Sequence, residues 1–187
     1  MTIIMTIIRK LSISVLGVLI ATMTYAQVDY YSGCETIKSI DFVYCVTHDN
    51  SSIVIENINN TLSHVPIVWT DSGVRAMAET RPLARRDEKT IHEIVNSVFT
   101  RKEIRKYRRS KNSAEIGVII DSHTGQSLEV SFYLTNFKEY NDPILYSIPI
   151  HKFEELEKLI KKNLVWEVAP GSENASHIGL SIHPFIK

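Results

Sequence analysis

His92-Glu93-Ile94-Val95-Asn96 comes within one residue of HExxH. In that pattern two imidazoles one helical turn apart grip a zinc ion and the glutamate serves as base. Asn96 stands where the second imidazole is required, so His92 reads as a surface residue of a helix. Asp121-Ser122-His123 holds the residue types of a nucleophilic triad. Neighbours in a single turn cannot form a Ser–His–Asp relay, which needs groups that converge in space. His123 therefore reads as a turn residue. Glu154-Glu155 offers two carboxylates, but glycoside hydrolysis needs them at a set separation across a cleft. At a helix start they suit the N-terminal dipole. His177 and His183 flank a short apolar run, and His48 or His64 could join them on a metal, yet no spacing calls for it. A Gly-rich phosphate loop, GxSxG, a catalytic cysteine setting and paired-cysteine zinc spacing are all missing from the sequence. The expectation is a non-catalytic protein with no metal and no cofactor.

Charge placement is the remaining chemical signal. The whole chain has 21 basic and 21 acidic residues, which argues against a nucleic-acid binder. Residues 75–111, however, carry a net +7, against −9 for the rest of residues 27–187. Arg101, Lys102, Arg105, Lys106, Arg108 and Arg109 form the densest run. On a helix, Arg101, Arg105 and Arg108 lie along one side, with Lys102, Lys106 and Arg109 beside them. Two such rows suit an envelope protein, an anionic lipid headgroup or an anionic glycan. The other reading, a solvated helix end that balances the acidic remainder, stays open.

The first 26 residues read as a signal peptide rather than fold. They hold no acidic residue, a basic pair at Arg9-Lys10, an eleven-residue apolar stretch at 11–21, and small residues at Thr24 and Ala26. Eleven helical residues at about 1.5 Å each span only about half of a bilayer core. Cleavage after Ala26 then leaves no stable transmembrane span, and the protein is expected in the periplasm or outer envelope of a Gram-negative bacterium. Met1-Thr2-Ile3-Ile4 repeats as Met5-Thr6-Ile7-Ile8, so Met5 could equally be the start. Tyr31-Ser32-Gly33-Cys34 looks like a lipobox but sits beyond a polar gap. An oxidising compartment suggests a disulfide between Cys34 and Cys45. Burial of Cys45 as a small apolar side chain is the alternative.

Elements that could position these residues follow from periodicity. Ser39 to Thr47 reads as a strand, His48 to Ser52 as a turn, and Ile53 to Glu56 as the returning strand. Val65 to Trp69 reads as an edge strand because of Pro66. Ile91, Ile94, Val95 and Val98 define one face of a helix over 87–99. Thr100 and Glu103 have capping-box spacing, so a second helix starts there and runs toward Asn112-Ser113. Residues 115–121 and 127–134 form a hairpin around Gly125, with Leu128, Val130, Phe132 and Leu134 on its apolar face. Residues 152–167 form a helix striped by Phe153, Leu156, Leu159, Ile160 and Leu164, supported by Glu154/Lys158 and Glu157/Lys161 pairs. Residues 178–182 close the sheet.

Phe99-Thr100-Arg101-Lys102-Glu103, the stretch 119–125, Leu128-Glu129-Val130-Ser131-Phe132 and the stretch 153–163 carry a resemblance. They resemble a family of uncharacterised exported proteins of Bacteroides-type bacteria, built on a domain of unknown function. That resemblance implies export and supplies no activity. In layout the same stretch is similar to the C-terminal domain of TonB-type proteins, which implies an envelope coupling role as an alternative; layout alone does not transfer function. A hydrolase with a site assembled from distant residues is the third class. The expected fold is a single α+β domain over 27–187, an antiparallel sheet with two or three helices on one face.

Overall fold

The computed structural model of the chain describes residues 35–48, 52–76, 82–85, 88–110, 113–135 and 144–185. The expected signal peptide and Cys34 lie outside these residues. The strands are β1 (Glu35–Lys38), β2 (Val43–His48), β3 (Ser52–Asn57), β4 (Ala84–Arg85), β5 (Ala114–Ile120), β6 (Ser127–Thr135), β7 (Glu167–Val168) and β8 (Ile178–Ile182). The helices are α1 (Glu88–Val98), α2 (Arg101–Tyr107) and α3 (Ile150–Asn163). Residues Glu35–Lys187 form one compact unit. Six strands make an antiparallel sheet in the order β1-β2-β3-β6-β5-β8, while β4 and β7 pair separately. This is the α+β class that the alternation of strands and helices leads one to expect.

Register decides which side chains meet. Ile55 pairs with Phe132, Phe132 with Ile116, and Ile116 with Ile182, so one sheet face is apolar across four strands. That face is covered by the helices: Ile91, Ile94, Val95 and Val98 of α1 and Phe153, Leu156 and Ile160 of α3 are buried. The Phe153 ring sits 4.9 Å from that of Phe132, centroid to centroid. The capping box at Thr100 is present, with Thr100 Oγ1 accepting from the Glu103 N–H and Glu103 accepting from the Thr100 N–H.

Several boundaries differ from the sequence expectation, each for a tertiary reason. Ser39 to Phe42 is a turn between β1 and β2, because the Glu154 carboxylate accepts the N–H groups of Ile40 and Asp41. Val65 to Trp69 forms no strand; Val68 and Trp69 make only isolated bridges, to Arg75 and Ala175. The second helix ends at Tyr107, before the expected Asn112-Ser113. The last helix ends at Asn163, not Glu167: Trp166 N–H bonds to the Gly125 carbonyl at 2.8 Å and Val165 bridges Gln126, so the chain docks on the hairpin turn instead of continuing. Leu128 is off the apolar face. Ile120 pairs with Ser127 and Ile119 with Glu129, making Leu128 the extra residue of a β-bulge. The bulge turns Ser127 inward, where its hydroxyl accepts from Trp166 Nε1 at 2.9 Å and donates to the Leu164 carbonyl.

Candidate functional site

Helix α2 is only seven residues long, and its buried side chains Ile104 and Tyr107 fix which sides face outward. Lys102, Arg105, Lys106 and Arg109 line, with Glu103 and Ile144, an open groove of about 900 Å³. Glu103 is the acidic member of that lining, and it is already engaged: Lys152 Nζ lies 2.8 Å from its Oε1. The Lys152 hydrogen bond, followed by the Thr100 N–H, holds the Glu103 carboxyl down at about 2. Lys152 itself also donates to the Val98 carbonyl and lies over the Phe99 ring, so it is directed away from duty as a free cation. Lys106 Nζ reaches Ser147 Oγ at 3.2 Å. Among the described residues, no carboxylate pairs with Lys102, Arg105 or Arg109. Among the described residues, the groove lining thus holds four cations and one carboxylate, itself paired with Lys152.

Of the six basic residues expected as two parallel rows, four line the groove and two do not. Arg101 and Arg108 are exposed but lie outside the groove lining, and Arg109 is in the turn that follows α2. Arg108 instead lines a separate hollow of about 140 Å³ with Tyr107, Ser110, Ser113, Leu145 and His183, among others.

Several acidic and histidine groups elsewhere are occupied by the fold. On the sheet face away from the helices, Ser131 Oγ donates to Glu56 Oε1 at 2.9 Å, and Glu56 Oε2 lies 3.0 Å from His64 Nε2. Burial, offset in part by the Ser131 hydroxyl, raises the Glu56 carboxyl. The order Ser–Glu–His puts the carboxylate in the middle, so no imidazole is placed to take a proton from the hydroxyl. Glu129 accepts the N–H groups of Thr61, Leu62 and Ser63 and so ties the segment after β3 to the sheet. His177 is buried beside Ser176, and burial lowers its basicity against the opposing pull of Glu129.

Helix α3 carries a second set of buried acids that periodicity marks only as surface pairs. Glu154 and Glu157 do meet Lys158 and Lys161, at 2.6 and 2.7 Å, but both carboxylates are inside the protein. Burial pushes Glu154 up; the Lys158 hydrogen bond and the Asp41 and Ile40 N–H groups outweigh it and set the carboxyl at about 2. Lys158 also pairs with Asp41. Glu154 lies in the second turn of a helix that starts at Ile150, so its role is anchoring the β1–β2 turn and not complementing the dipole.

The near-motifs stay apart. His92, Glu93 and Asn96 are on the exposed side of α1. Asp121 accepts the N–H groups of His123 and Thr124, and Ser122 Oγ donates to the Ala175 carbonyl, so this triplet shapes its turn. Trp166 is core, with 3% exposure. Among the described residues no three His, Cys, Asp or Glu side chains are grouped to hold a metal ion. Cys45 is disulfide-bonded; Cys34, the proposed partner, lies outside the described residues.

Comparison with known proteins gives a family without an activity. No curated protein matches the chain. A crystal structure of a DUF5043 family protein from Bacteroides uniformis has the same fold, with a TM-score of 0.66 and 19% identity over 81% of this chain and 85% of that one. Residues 27–181 match the family model described as a domain of unknown function, DUF5043, and the chain belongs to that family.

Proposed function

We propose that this protein is an exported, non-catalytic binding module of the bacterial envelope, and that the groove along α2 is its contact surface for an anionic partner. The observation that carries this reading is the groove lining. Lys102, Arg105, Lys106 and Arg109 converge on one open hollow whose acidic member, Glu103, is neutralised by Lys152. A scaffold alone does not require that arrangement, since exposed cations on one short helix repel one another. The non-catalytic part of the proposal is supported by the acids and histidines described above, whose hydrogen bonds hold turns and loops in place. Export is supported by the leader-like residues 1–26, and no described helix is long and apolar enough to cross a membrane.

Two measurements test the proposal. Intact mass of the protein purified from cells should correspond to a chain beginning at Gln27; a full-length mass in the envelope fraction overturns the export part. Reversing Arg105 and Arg109 to Glu should abolish salt-sensitive association with anionic vesicles and acidic polysaccharide, whichever of the two the wild type binds. Association that survives both the reversal and high salt places the contact surface elsewhere.

A further inference from the structure

Beside the groove lies the smaller hollow, and its walls have a different character. Ile144 lines the groove and its neighbour Leu145 lines the hollow, so the two adjoin at the start of the 3₁₀ turn Leu145–Ser147. The hollow's volume is about 140 Å³; a single water needs only about 10–15 Å³. Its polar side chains come from three parts of the chain: Arg108 and Ser110 from the turn that follows α2, Ser113 from the residue before β5, and His183 from the residue after β8. Its apolar wall is Tyr107, Phe185 and Leu145, with the two rings 5.1 Å apart at 47°. Among the described residues, no carboxylate lines it.

We infer that this hollow is a subsite for a monosubstituted tetrahedral oxyanion, a phosphate or sulfate ester, whose organic stem rests on the Tyr107–Phe185 wall. An ester of this kind carries three terminal oxygens directed apart. Donors carried by separate parts of the chain can approach such a group from different directions, whereas a planar carboxylate is satisfied by one guanidinium fork. Arg108 supplies two parallel N–H groups, Ser113 a hydroxyl and His183 an imidazole N–H. The aromatic wall favours a ligand whose anionic group is attached to an apolar or flat body over a bare ion. The inference deepens the groove reading, on which it rests for the remainder of the ligand: a polyanion lying along Lys102, Arg105 and Lys106 would place an ester group here. The hollow itself does not depend on that reading.

Titration calorimetry with phenyl phosphate, phenyl sulfate and benzoate tests it on the full protein. At least one of the two esters should bind about ten-fold or more tightly than benzoate. Which of the two binds more tightly identifies the source: phenyl sulfate keeps one charge throughout, whereas phosphate gains its second near pH 6. His183→Ala and Ser113→Ala, two independent and exposed positions, should each weaken ester binding about five-fold or more with thermal midpoints unchanged. Arg101→Gln, an exposed position outside both linings, should keep its ester affinity within about two-fold. Equal affinity for benzoate, or ester affinity untouched by both His183→Ala and Ser113→Ala, overturns the inference. Failure of the groove reading shows differently, as envelope association unchanged by the double reversal.

Discussion

The Tyr44 hydroxyl donates to Oε2 of Glu157 at 2.7 Å, and both residues are 0% exposed. Asn57 Nδ2 donates to the other oxygen at 3.2 Å and Lys161 Nζ lies 2.7 Å from it. One buried carboxylate thus joins β2, β3 and α3. Burial, then the charge of Glu157, pushes the Tyr44 phenol far above its ordinary range, so it is a fixed donor.

Removing that carboxylate strands its three donors. Glu157→Ala should cost about 3–5 kcal/mol, as for other buried pairs broken from one side. Tyr44→Phe should cost about 1–3 kcal/mol, because Glu157 keeps its remaining partners. Glu155→Ala, on an exposed position of the same helix, should stay within about 0.5 kcal/mol. Urea midpoints check the order; equal shifts for Glu157 and Glu155 would refute the anchoring role.

Acid should destabilise the protein through Glu103 and Glu154. Both carboxyls sit at about 2 in the folded chain against 4.5 ordinarily. A depressed folded value means the unfolded chain binds protons first as pH falls. The stability these groups contribute is complete above about pH 4.5 and is lost on the way down to about 2. Thermal midpoints measured from pH 6 to pH 2 should fall steeply for the wild type and less steeply for Glu154→Gln. Parallel curves would show that Glu154 does not contribute to the acid limb.

Glycine substitutions separate backbone strain from collision. Gly171 has φ +86° with open space around it, so Gly171→Ala should cost about 1–2 kcal/mol from the left-handed backbone alone. Gly125 has φ +71°, and a Cβ there would collide with the Trp166 carbonyl oxygen, a backbone atom. Gly125→Ala should add roughly 1–3 kcal/mol of overpacking to the strain. Guanidinium melts of the two variants compare them directly, and a Gly171→Ala loss matching that of Gly125→Ala would contradict the close approach of hairpin turn and Trp166.

The bulge makes a prediction that simple alternation reverses. Leu128 is 37% exposed while Phe132 is 1% exposed. Phe132→Ala should cost about 3–5 kcal/mol. Leu128→Ala should cost below about 1 kcal/mol, since little of it leaves a packed site. A large Leu128 effect in equilibrium unfolding would restore the regular register.

Periodicity and local chemistry made much of the fold legible. The i, i+3, i+4, i+7 spacing of Ile91, Ile94, Val95 and Val98, the Thr100–Glu103 box and the turn at Gly125 are each determined by a few neighbouring residues. Charge counting likewise located the basic run, because its six cations are close in sequence. Tertiary structure decided the rest. Glu154 and Glu157 look like surface helix residues until the β1–β2 turn, β2 and β3 deliver donors from 100 or more residues away. The same is true of the groove. Which of the basic residues converge depends on Ile104 and Tyr107 turning inward, and on Lys152 crossing from α3 to occupy Glu103. Local spacing sets the rotation of a side chain about its own element, but burial, the sign of a pocket and the ending of α3 at Asn163 depend on what the rest of the chain brings to it.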